Sequence, residues 1–278
     1  MLLGNGNGTF QVASHYAAGS IPHSVAVGDF NGDAKPDLVV ANFGSTNVSV
    51  LMGKGDGSFQ MAVNYRAESS PSSVAVGDFN GDGRPDLAVA DADLNAHLGF
   101  VSVLLGKGDG AFQSAVNYGA GSSPFYLVVG DFNSDEKPDL AVANEFSGNV
   151  SVLFGQGDGT FREAANYGVG SSPFCVAVGD FDGNGNPDLV VANYDANNLS
   201  VLLNTCASAF IELSIVRGVS TITLSWPFAS TANVLESTTT LASPNWQPAL
   251  EMRMTNNGRL EVTTPVDQGE RYFRLPKP

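Results

Sequence analysis

The stretch VAVGDFNGDGRPDLAVA, residues 74–90, decides the fold of this chain. At its centre a nine-residue loop carries oxygen-bearing side chains at positions 1, 3, 5 and 9, namely Asp78, Asn80, Asp82 and Asp86. Position 6 is Gly83, and a glycine at the sharp turn of a loop crowded with oxygen ligands is typical of a Ca²⁺ site. Apolar runs precede and follow the loop, which predicts that it joins two antiparallel β-strands.

The same unit occurs four times along the chain. Positions 1, 3, 5 and 9 of the other copies are Asp29, Asn31, Asp33 and Asp37; Asp131, Asn133, Asp135 and Asp139; and Asp180, Asp182, Asn184 and Asp188. The first aspartates of successive copies are 49, 53 and 49 residues apart. A period near 50 with several short strands in each period is typical of a β-propeller or a similar repeat array.

Each loop ends in Pro-Asp and is followed by Leu, and residues 1–205 resemble the FG-GAP/VCBS repeat family, whose best-known members form the integrin α propeller. The resemblance implies an all-β propeller of about four blades, closed on itself or part of a larger ring. It implies Ca²⁺ as the cofactor, at up to four sites. The backbone carbonyl at position 7 would be a further ligand, and the aspartate at position 9 would bind bidentately; the position-7 residues are Lys35, Arg84, Lys137 and Asn186. A hydrogen-bonded Asx turn without metal is the alternative.

Two loops depart from the pattern. Ala34 and Glu136 replace glycine at position 6, and Ser134 replaces glycine at position 4. A side chain strains a turn with positive φ. We therefore expect the first and third loops to bind calcium more weakly than the second and fourth.

The order of the predicted strands bears on ring closure. Three periods supply four strands each, the last period supplies three, and residues 9–16 have the sequence of a fourth strand. We therefore predict that residues 9–16 pair beside residues 199–203 and close a four-bladed ring, which would remove two exposed sheet edges. Residues 1–3 duplicate the end of a third strand, a surplus that a piece of a longer ring would also have.

Charge restricts the range of functions. The chain has a formal net charge of −15, and 13 of its 28 acidic residues lie in the four loops, which favours cation sites over a general acidic surface. Without a basic stripe the chain is not expected to bind nucleic acid, and no apolar run is long enough to span a membrane. His15, His23 and His97 do not have the spacing of zinc ligands, and no Gly-x-Ser-x-Gly motif occurs, so we predict that the protein is not an enzyme.

The resemblance also indicates where a partner would bind. In related propellers, ligands bind on the face opposite the calcium loops, where this chain would present Phe43, His97, Phe146 and Tyr194. We therefore expect a calcium-binding module, secreted or on the cell surface, for adhesion to or recognition of glycans or extracellular proteins. A structural spacer, or a non-catalytic part of a larger secreted enzyme, is the alternative.

Residues 206–278 have no calcium pattern. Short alternating runs there predict a small β-sandwich, with Trp226 and Phe273 in its core. The LSWP, VLEST, SPNWQP and RYFRL segments resemble the fibronectin-III-like or immunoglobulin-like modules that end many secreted proteins of Verrucomicrobia-type bacteria. Such a module implies an anchoring or spacer role. Cys175 and Cys206 are expected to be unpaired, because their predicted places are too far apart for a disulfide.

Overall fold

A computed structural model describes residues 1–92 and 98–205 with their side chains. It describes residue 93 and seven short strands between residues 214 and 274 by their backbone alone. The predictions for His97, for Cys206 and for the side chains of Trp226 and Phe273 lie outside the described residues. The chain divides into two units, Met1–Thr205 and Cys206–Pro278. None of the described residues belongs to a helix long and apolar enough to cross a membrane.

The first unit is built from antiparallel β-strands, as predicted. In chain order its described strands are β1 (Pro22–Gly28), β2 (Asp37–Asn42), β3 (Asn47–Leu51), β4 (Val63–Arg66), β5 (Ser70–Gly77), β6 (Asp86–Asp93), β7 (Leu98–Leu104), β8 (Val116–Gly119), β9 (Pro124–Gly130), β10 (Asp139–Asn144), β11 (Asn149–Leu153), β12 (Ala165–Gly168), β13 (Pro173–Gly179), β14 (Asp188–Asn193) and β15 (Asn198–Leu202).

These strands form four propeller-like blades. Blades 1, 2 and 3 are the four-stranded sheets β1–β4, β5–β8 and β9–β12, and blade 4 is the three-stranded sheet β13–β15. In every blade the strand order follows the chain order, and the first strands of consecutive blades lie side by side. The fourth strands of blades 1 to 3 are shorter than predicted. The first residues of the predicted strand belong instead to a hairpin with a single isolated bridge, such as that between Gly106 and Phe112.

Hydrophobic cores lie between consecutive blades. Side chains alternate across a strand, so each blade has a leading face toward the preceding blade and a trailing face toward the next one. Between blades 1 and 2, Val39 and Val48 of the trailing face pack in one core with Val74, Leu87 and Val89 of the leading face. Equivalent cores join blade 2 to blade 3 and blade 3 to blade 4. Burial between blades therefore holds this unit together.

The predicted ring closure is wrong. We expected residues 9–16 to pair beside residues 199–203, but within the described part of the chain β15 pairs with β14 alone. Blade 4 therefore keeps an unpaired outer edge among the described residues.

The N-terminal segment pairs with itself instead. The Gln11 amide donates to the Leu3 carbonyl over 2.7 Å, and an isolated bridge joins Gly4 to Phe10. The surplus third-strand residues noted in the sequence supply this partner. A partner a few residues away costs less loop-closure entropy than one at the far end of the unit, which explains the preference.

Blade 2 departs from the other blades at a buried polar position. In blades 1, 3 and 4 an asparagine that ends the second strand donates to a serine of the third strand: Asn42 to Ser49 (2.9 Å), Asn144 to Ser151 (2.8 Å) and Asn193 to Ser200 (2.8 Å). Blade 2 has Asp91 there, fully buried, and neither of its carboxylate oxygens has a hydrogen-bond partner in the described residues. Burial raises the pKa of Asp91 to about 6, and the nearby Ser102 hydroxyl and backbone amides of Glu68 and Ser69 oppose that rise only in part.

We expect Asp91→Asn to stabilise the protein at neutral pH. The pKa of Asp91 lies above its unfolded value of 3.8. The cost of its charge is therefore absent below about pH 3.8, grows as the pH rises to about 6, and is complete above that pH. The whole shift corresponds to about 3 kcal/mol, and the gain of the variant should be about 1–3 kcal/mol at pH 7 and small near pH 4. Urea unfolding at both pH values measures it, with Asp195→Asn, an exposed position, as control. An equal gain at both pH values would contradict this account.

The second unit contains seven strands among its described residues. They are β16 (Ser214–Arg217), β17 (Thr221–Pro227), β18 (Glu236–Thr238), β19 (Gln247–Pro248), β20 (Arg253–Met254), β21 (Arg259–Pro265) and β22 (Tyr272–Arg274). They form two antiparallel sheets, β16-β17-β21-β20 and β19-β18-β22. The predicted β-runs of this segment thus do contain strands.

Candidate metal centres

Each acidic loop joins the first strand of a blade to the second. The glycine that ends the first strand leaves room for the phenylalanine at loop position 2, because a Cβ on Gly28 would lie 2.6 Å from the Phe30 ring. The second strand begins at the aspartate of position 9, directly after a proline. The Gly-Asp-Phe and Pro-Asp elements of the repeat therefore mark the two ends of one loop.

The aspartate at position 1 organises the loop backbone. In loop 4, Asp180 accepts hydrogen bonds from the amides of Gly183, Asn184 and Gly185 at 2.8, 3.1 and 2.9 Å. These amides, that of Gly185 first, hold the pKa of Asp180 below its usual value. The position-1 aspartates of the other loops also accept from the amides of positions 5 and 6. The lowered pKa of Asp180 favours the charged carboxylate that a cation would bind.

The aspartate at position 9 is buried and ties the loop to the segment that directly follows the third strand. In blade 3 both oxygens of Asp139 accept backbone hydrogen bonds, one from Phe132 at 2.8 Å and one from Gly155 at 2.8 Å. Asp37, Asp86 and Asp188 make the same pair of bonds in their blades. Burial raises the pKa of Asp139 to about 6, although both amides favour the charged form. Each oxygen retains a lone pair, so the geometry is compatible with a further role as a metal ligand.

Loop 4 brings three carboxylates together. One oxygen from each of Asp180, Asp182 and Asp188 lies within 4.8 Å of the others, the one such acidic group among the described residues. Ca²⁺ binds oxygens at 2.3–2.6 Å, so ligand atoms on opposite sides of the ion are about 5 Å apart. The donor atoms are all oxygens, as a hard cation requires. The residues of loop 4 therefore fit Ca²⁺.

The other three loops place a basic side chain beside the acid at position 5. The Lys35 ammonium lies 3.0 Å from the Asp33 carboxylate, and Arg84–Asp82 and Lys137–Asp135 pairs span 3.9 and 3.6 Å. In loop 4 the residues at positions 5 and 7 are Asn184 and Asn186. A cation at loops 1 to 3 would have to compete with these ion pairs. The ligand roles assigned to the side chains and to the position-7 carbonyls of all four loops stay predictions.

The turn at position 6 has positive φ in all four loops. Gly83 and Gly185 have φ of 78° and 85°, whereas Ala34 and Glu136 adopt 60° and 63°. Ser134 at position 4 has φ of 60° as well. The predicted conformational strain is therefore present in loops 1 and 3. Its consequence for calcium affinity stays a prediction.

The acidic loops also contact the following blade. The Phe30 carbonyl in loop 1 accepts the Gly110 amide of blade 2 at 2.9 Å, and the Phe79 carbonyl in loop 2 accepts the Gly159 amide of blade 3 at 2.9 Å. In loop 3 the Phe132 carbonyl accepts the Asn204 side-chain amide at 2.8 Å. Order in a loop is thereby coupled to the contact between two blades.

The opposite end of each first strand carries a β-bulge. The strand register shifts at His23, Ser72, Phe125 and Phe174, one equivalent residue in each blade. Bulges re-aim side chains. This end of the strand lies away from the acidic loop, because Pro22 pairs with Asn42 and Gly28 pairs with Asp37.

Three of the bulge residues belong to an aromatic row. Its successive ring centroids are 5.3 Å apart for Phe43 and His23, 5.1 Å for His23 and Phe125, 3.9 Å for Phe125 and Phe174, and 5.9 Å for Phe174 and Tyr194. Phe174 and Tyr194 are 42% and 72% exposed. Of the predicted ligand-binding residues, Phe43 and Tyr194 belong to the row, Phe146 is 53% exposed, and His97 lies outside the described residues.

The sequence reasoning missed two groups of residues. The first is His23, Phe125 and Phe174 in the aromatic row, since an apolar run does not indicate where a strand bulges. The second is the amide donors to position 9, such as Phe132 and Gly155. The recurrence of Gly-Asp-Phe in all four copies was the available signal for the second group.

The profile of the FG-GAP-like repeat family matches residues 1–40, 29–89, 78–142 and 131–191. Successive matches overlap at the acidic loops and together cover more than half of the chain. The chain belongs to the FG-GAP-like repeat family. No match was found among curated proteins.

Several known structures resemble the chain distantly. A functionally unknown protein from Desulfotomaculum acetoxidans is 13% identical with a TM-score of 0.48, and the alignment covers 96% of this chain and 92% of that one. A protein from Lactobacillus plantarum is 12% identical with a TM-score of 0.46, over 97% of this chain and 87% of that one. The Photorhabdus luminescens Tc holotoxin pore is 16% identical with a TM-score of 0.42, and the alignment covers 72% of this chain and 10% of that one. At these TM-scores the similarities carry no argument about function.

Proposed function

We propose that this protein is an extracellular, calcium-binding recognition module that binds glycans or protein partners and is not itself an enzyme. The observation that carries the proposal is the aromatic row from Phe43 to Tyr194, at the end of the blades away from the acidic loops. Calcium would occupy the acidic loops and stiffen the blades, and the row would contact the ligand. Extracellular calcium-binding modules bind the ion weakly and depend on the high calcium concentration outside cells. We therefore place this module outside the cell, either secreted or on the cell surface.

The chemistry of the row favours a flat, partly apolar ligand. Exposed aromatic rings bury a large apolar area at low entropic cost, and Tyr adds a polar tip. The apolar faces of sugar rings, and apolar or proline side chains of a protein, would pack against Phe174 and Tyr194. Polar groups lie beside these rings, since the Ser172 hydroxyl donates to the Asp195 carboxylate over 2.5 Å. A ligand with alternating apolar and hydroxyl groups matches this arrangement.

Residues 206–278 would serve this module as an anchor or spacer. The proposal rests on the two short antiparallel sheets of that unit and on its resemblance to fibronectin-III-like or immunoglobulin-like modules.

A glycan array tests the proposed function. We expect the wild-type protein to bind a defined set of glycans in millimolar calcium, and the Phe174→Ala, Tyr194→Ala double variant to bind them at least tenfold more weakly. Tyr167→Ala is the matched control, because Tyr167 is 46% exposed on the outer strand β12, outside the row. The array is repeated in chelator, where weaker binding is expected. If neither glycans nor an extracellular protein library gives binding that depends on the row, the spacer alternative is favoured.

A further inference from the structure

Two faces of the blades have no blade against them in the described residues. The first is the leading face of blade 1, where Val25 and Val27 are 62% and 61% exposed. Val74, Leu127 and Val176 stand at the position of Val25 in the other blades and are 6%, 3% and 1% exposed. Their burial comes from the trailing face of the preceding blade.

The second is the trailing face of blade 4. Phe181, Leu199 and Val201 are 52%, 67% and 55% exposed there. The equivalent side chains of blade 1 are covered by blade 2 and are at most 2% exposed: Phe30, Val48 and Val50. Exposed apolar side chains gathered on one face mark an interaction site.

These two faces are the two halves of one kind of interface. The chain contains that interface three times, always with a trailing face against a leading face. The surface that fits the trailing face of blade 4 is therefore the leading face of a blade of the same repeat. We propose that the protein associates head to tail, with the trailing face of blade 4 bound to the leading face of blade 1 of a second copy.

The N-terminal hairpin, residues 1–16 with the bridge between Gly4 and Phe10, supports this choice of partner. Its Leu3 side chain lies against Gly57 as Met52 of blade 1 lies against Gly110 of blade 2. The Tyr16 hydroxyl approaches the Gly57 carbonyl at 3.4 Å, and the Tyr65 hydroxyl approaches the Gly110 carbonyl at the same distance. The hairpin thus occupies the place that the outer part of a preceding blade would have.

A docked second copy would complete blade 4. That blade has no fourth strand among the described residues, and residues 14–17 of the other copy align with β4 in the repeat. They would lie beside β15 at the unpaired edge of blade 4. Residues 1–3 repeat the end of a third strand. They would therefore have to move aside, because the end of β15 would take their place beside the fourth strand. The interface would therefore combine apolar packing with strand pairing.

The symmetry of the contact determines the assembly. A head-to-tail contact is heterologous, so two copies can close into a ring of about eight blades, within the known range for propellers, or further copies can extend the array. Each copy has a net charge of −15, so added salt should strengthen association by screening the repulsion.

Light scattering over a concentration series, at low and high salt, tests the proposal with the full chain. We expect wild-type dimers or larger species that dissociate on dilution. Val25→Asp removes one half of the interface and Leu199→Asp the other, and each variant alone should associate at least tenfold more weakly. Met61→Asp is the control, because Met61 is 91% exposed and belongs to neither face.

The decisive measurement is an equimolar mixture of Val25→Asp and Leu199→Asp. Each retains the half that the other has lost, so the mixture should regain dimers with one intact interface. A wild-type chain that stays monomeric at every concentration and salt, or a mixture that stays monomeric, would overturn the proposal. If either variant melts below the wild-type temperature, Val27→Asp or Val201→Asp takes its place.

Discussion

Saturating calcium is expected to raise the melting temperature of the protein markedly, and chelator is expected to lower it. Each site that binds only the folded chain adds about 2.7 kcal/mol at about 100 times its Kd. Two or more such sites would equal a large part of the 5–15 kcal/mol stability of an ordinary domain. The loops contact the following blade, for example through the hydrogen bond from Gly110 to Phe30. An ordered, calcium-bound loop would therefore also stabilise the contact between two blades.

Loop 4 should account for much of the effect. Its three carboxylates are already close together, and no basic side chain stands at positions 5 and 7 to compete with the cation. Calorimetric titration should detect its occupancy, and Asp182→Asn should remove it. Asp158→Asn, an exposed acid of the blade 3 hairpin, is the control. Sodium chloride at matched ionic strength separates binding from screening. Equal melting in calcium and in chelator would refute calcium binding as a stabilising event.

Asp139→Ala is expected to destabilise the protein severely, even without calcium. The substitution removes the acceptor of two backbone hydrogen bonds, from Phe132 and Gly155, and leaves both amides without that partner. Each unsatisfied buried amide costs about 1–3 kcal/mol, so the free energy of unfolding should fall by about 3 kcal/mol or more. Urea unfolding in chelator measures the loss.

Asp158→Ala is the matched control for this tie. Asp158 lies in the same blade and accepts the Thr160 amide at 3.0 Å, but it is exposed, so its loss should cost about 1 kcal/mol or less. If the two variants unfold at the same urea concentration, Asp139 is not the tie that its hydrogen bonds indicate. A calcium-dependent loss alone would mean that position 9 acts only as a ligand.

The repeat made most of the fold predictable. Four copies of Gly-Asp-Phe and Pro-Asp-Leu at a period near 50 gave the all-β class, the loops and the strands that flank them. The positive φ at Ala34 and Glu136 followed as well, because the same turn recurs with glycine at Gly83 and Gly185. Such features depend on neighbours in sequence, so a single chain with internal copies contains enough information to predict them.

Features that depend on distant neighbours were not predictable. The row of Phe43, His23, Phe125, Phe174 and Tyr194 requires bulges at one position of every blade, and a bulge leaves no mark in an apolar run. Ring closure failed for a related reason. The sequence identified residues 9–16 as a fourth strand but did not indicate which third strand would pair with them. They pair with residues 1–4, which are nearest in sequence.

The inter-blade cores have a consequence for how the protein folds. Each of the three cores draws its side chains from two consecutive blades, so stability is transmitted between nearest neighbours, as in a one-dimensional array. Among the described residues, blades 2 and 3 have a neighbouring blade against both faces, whereas blades 1 and 4 have a neighbouring blade against one face. The chain can therefore begin to order at the centre and extend outward, and the ends would open and close many times before the middle unfolds once.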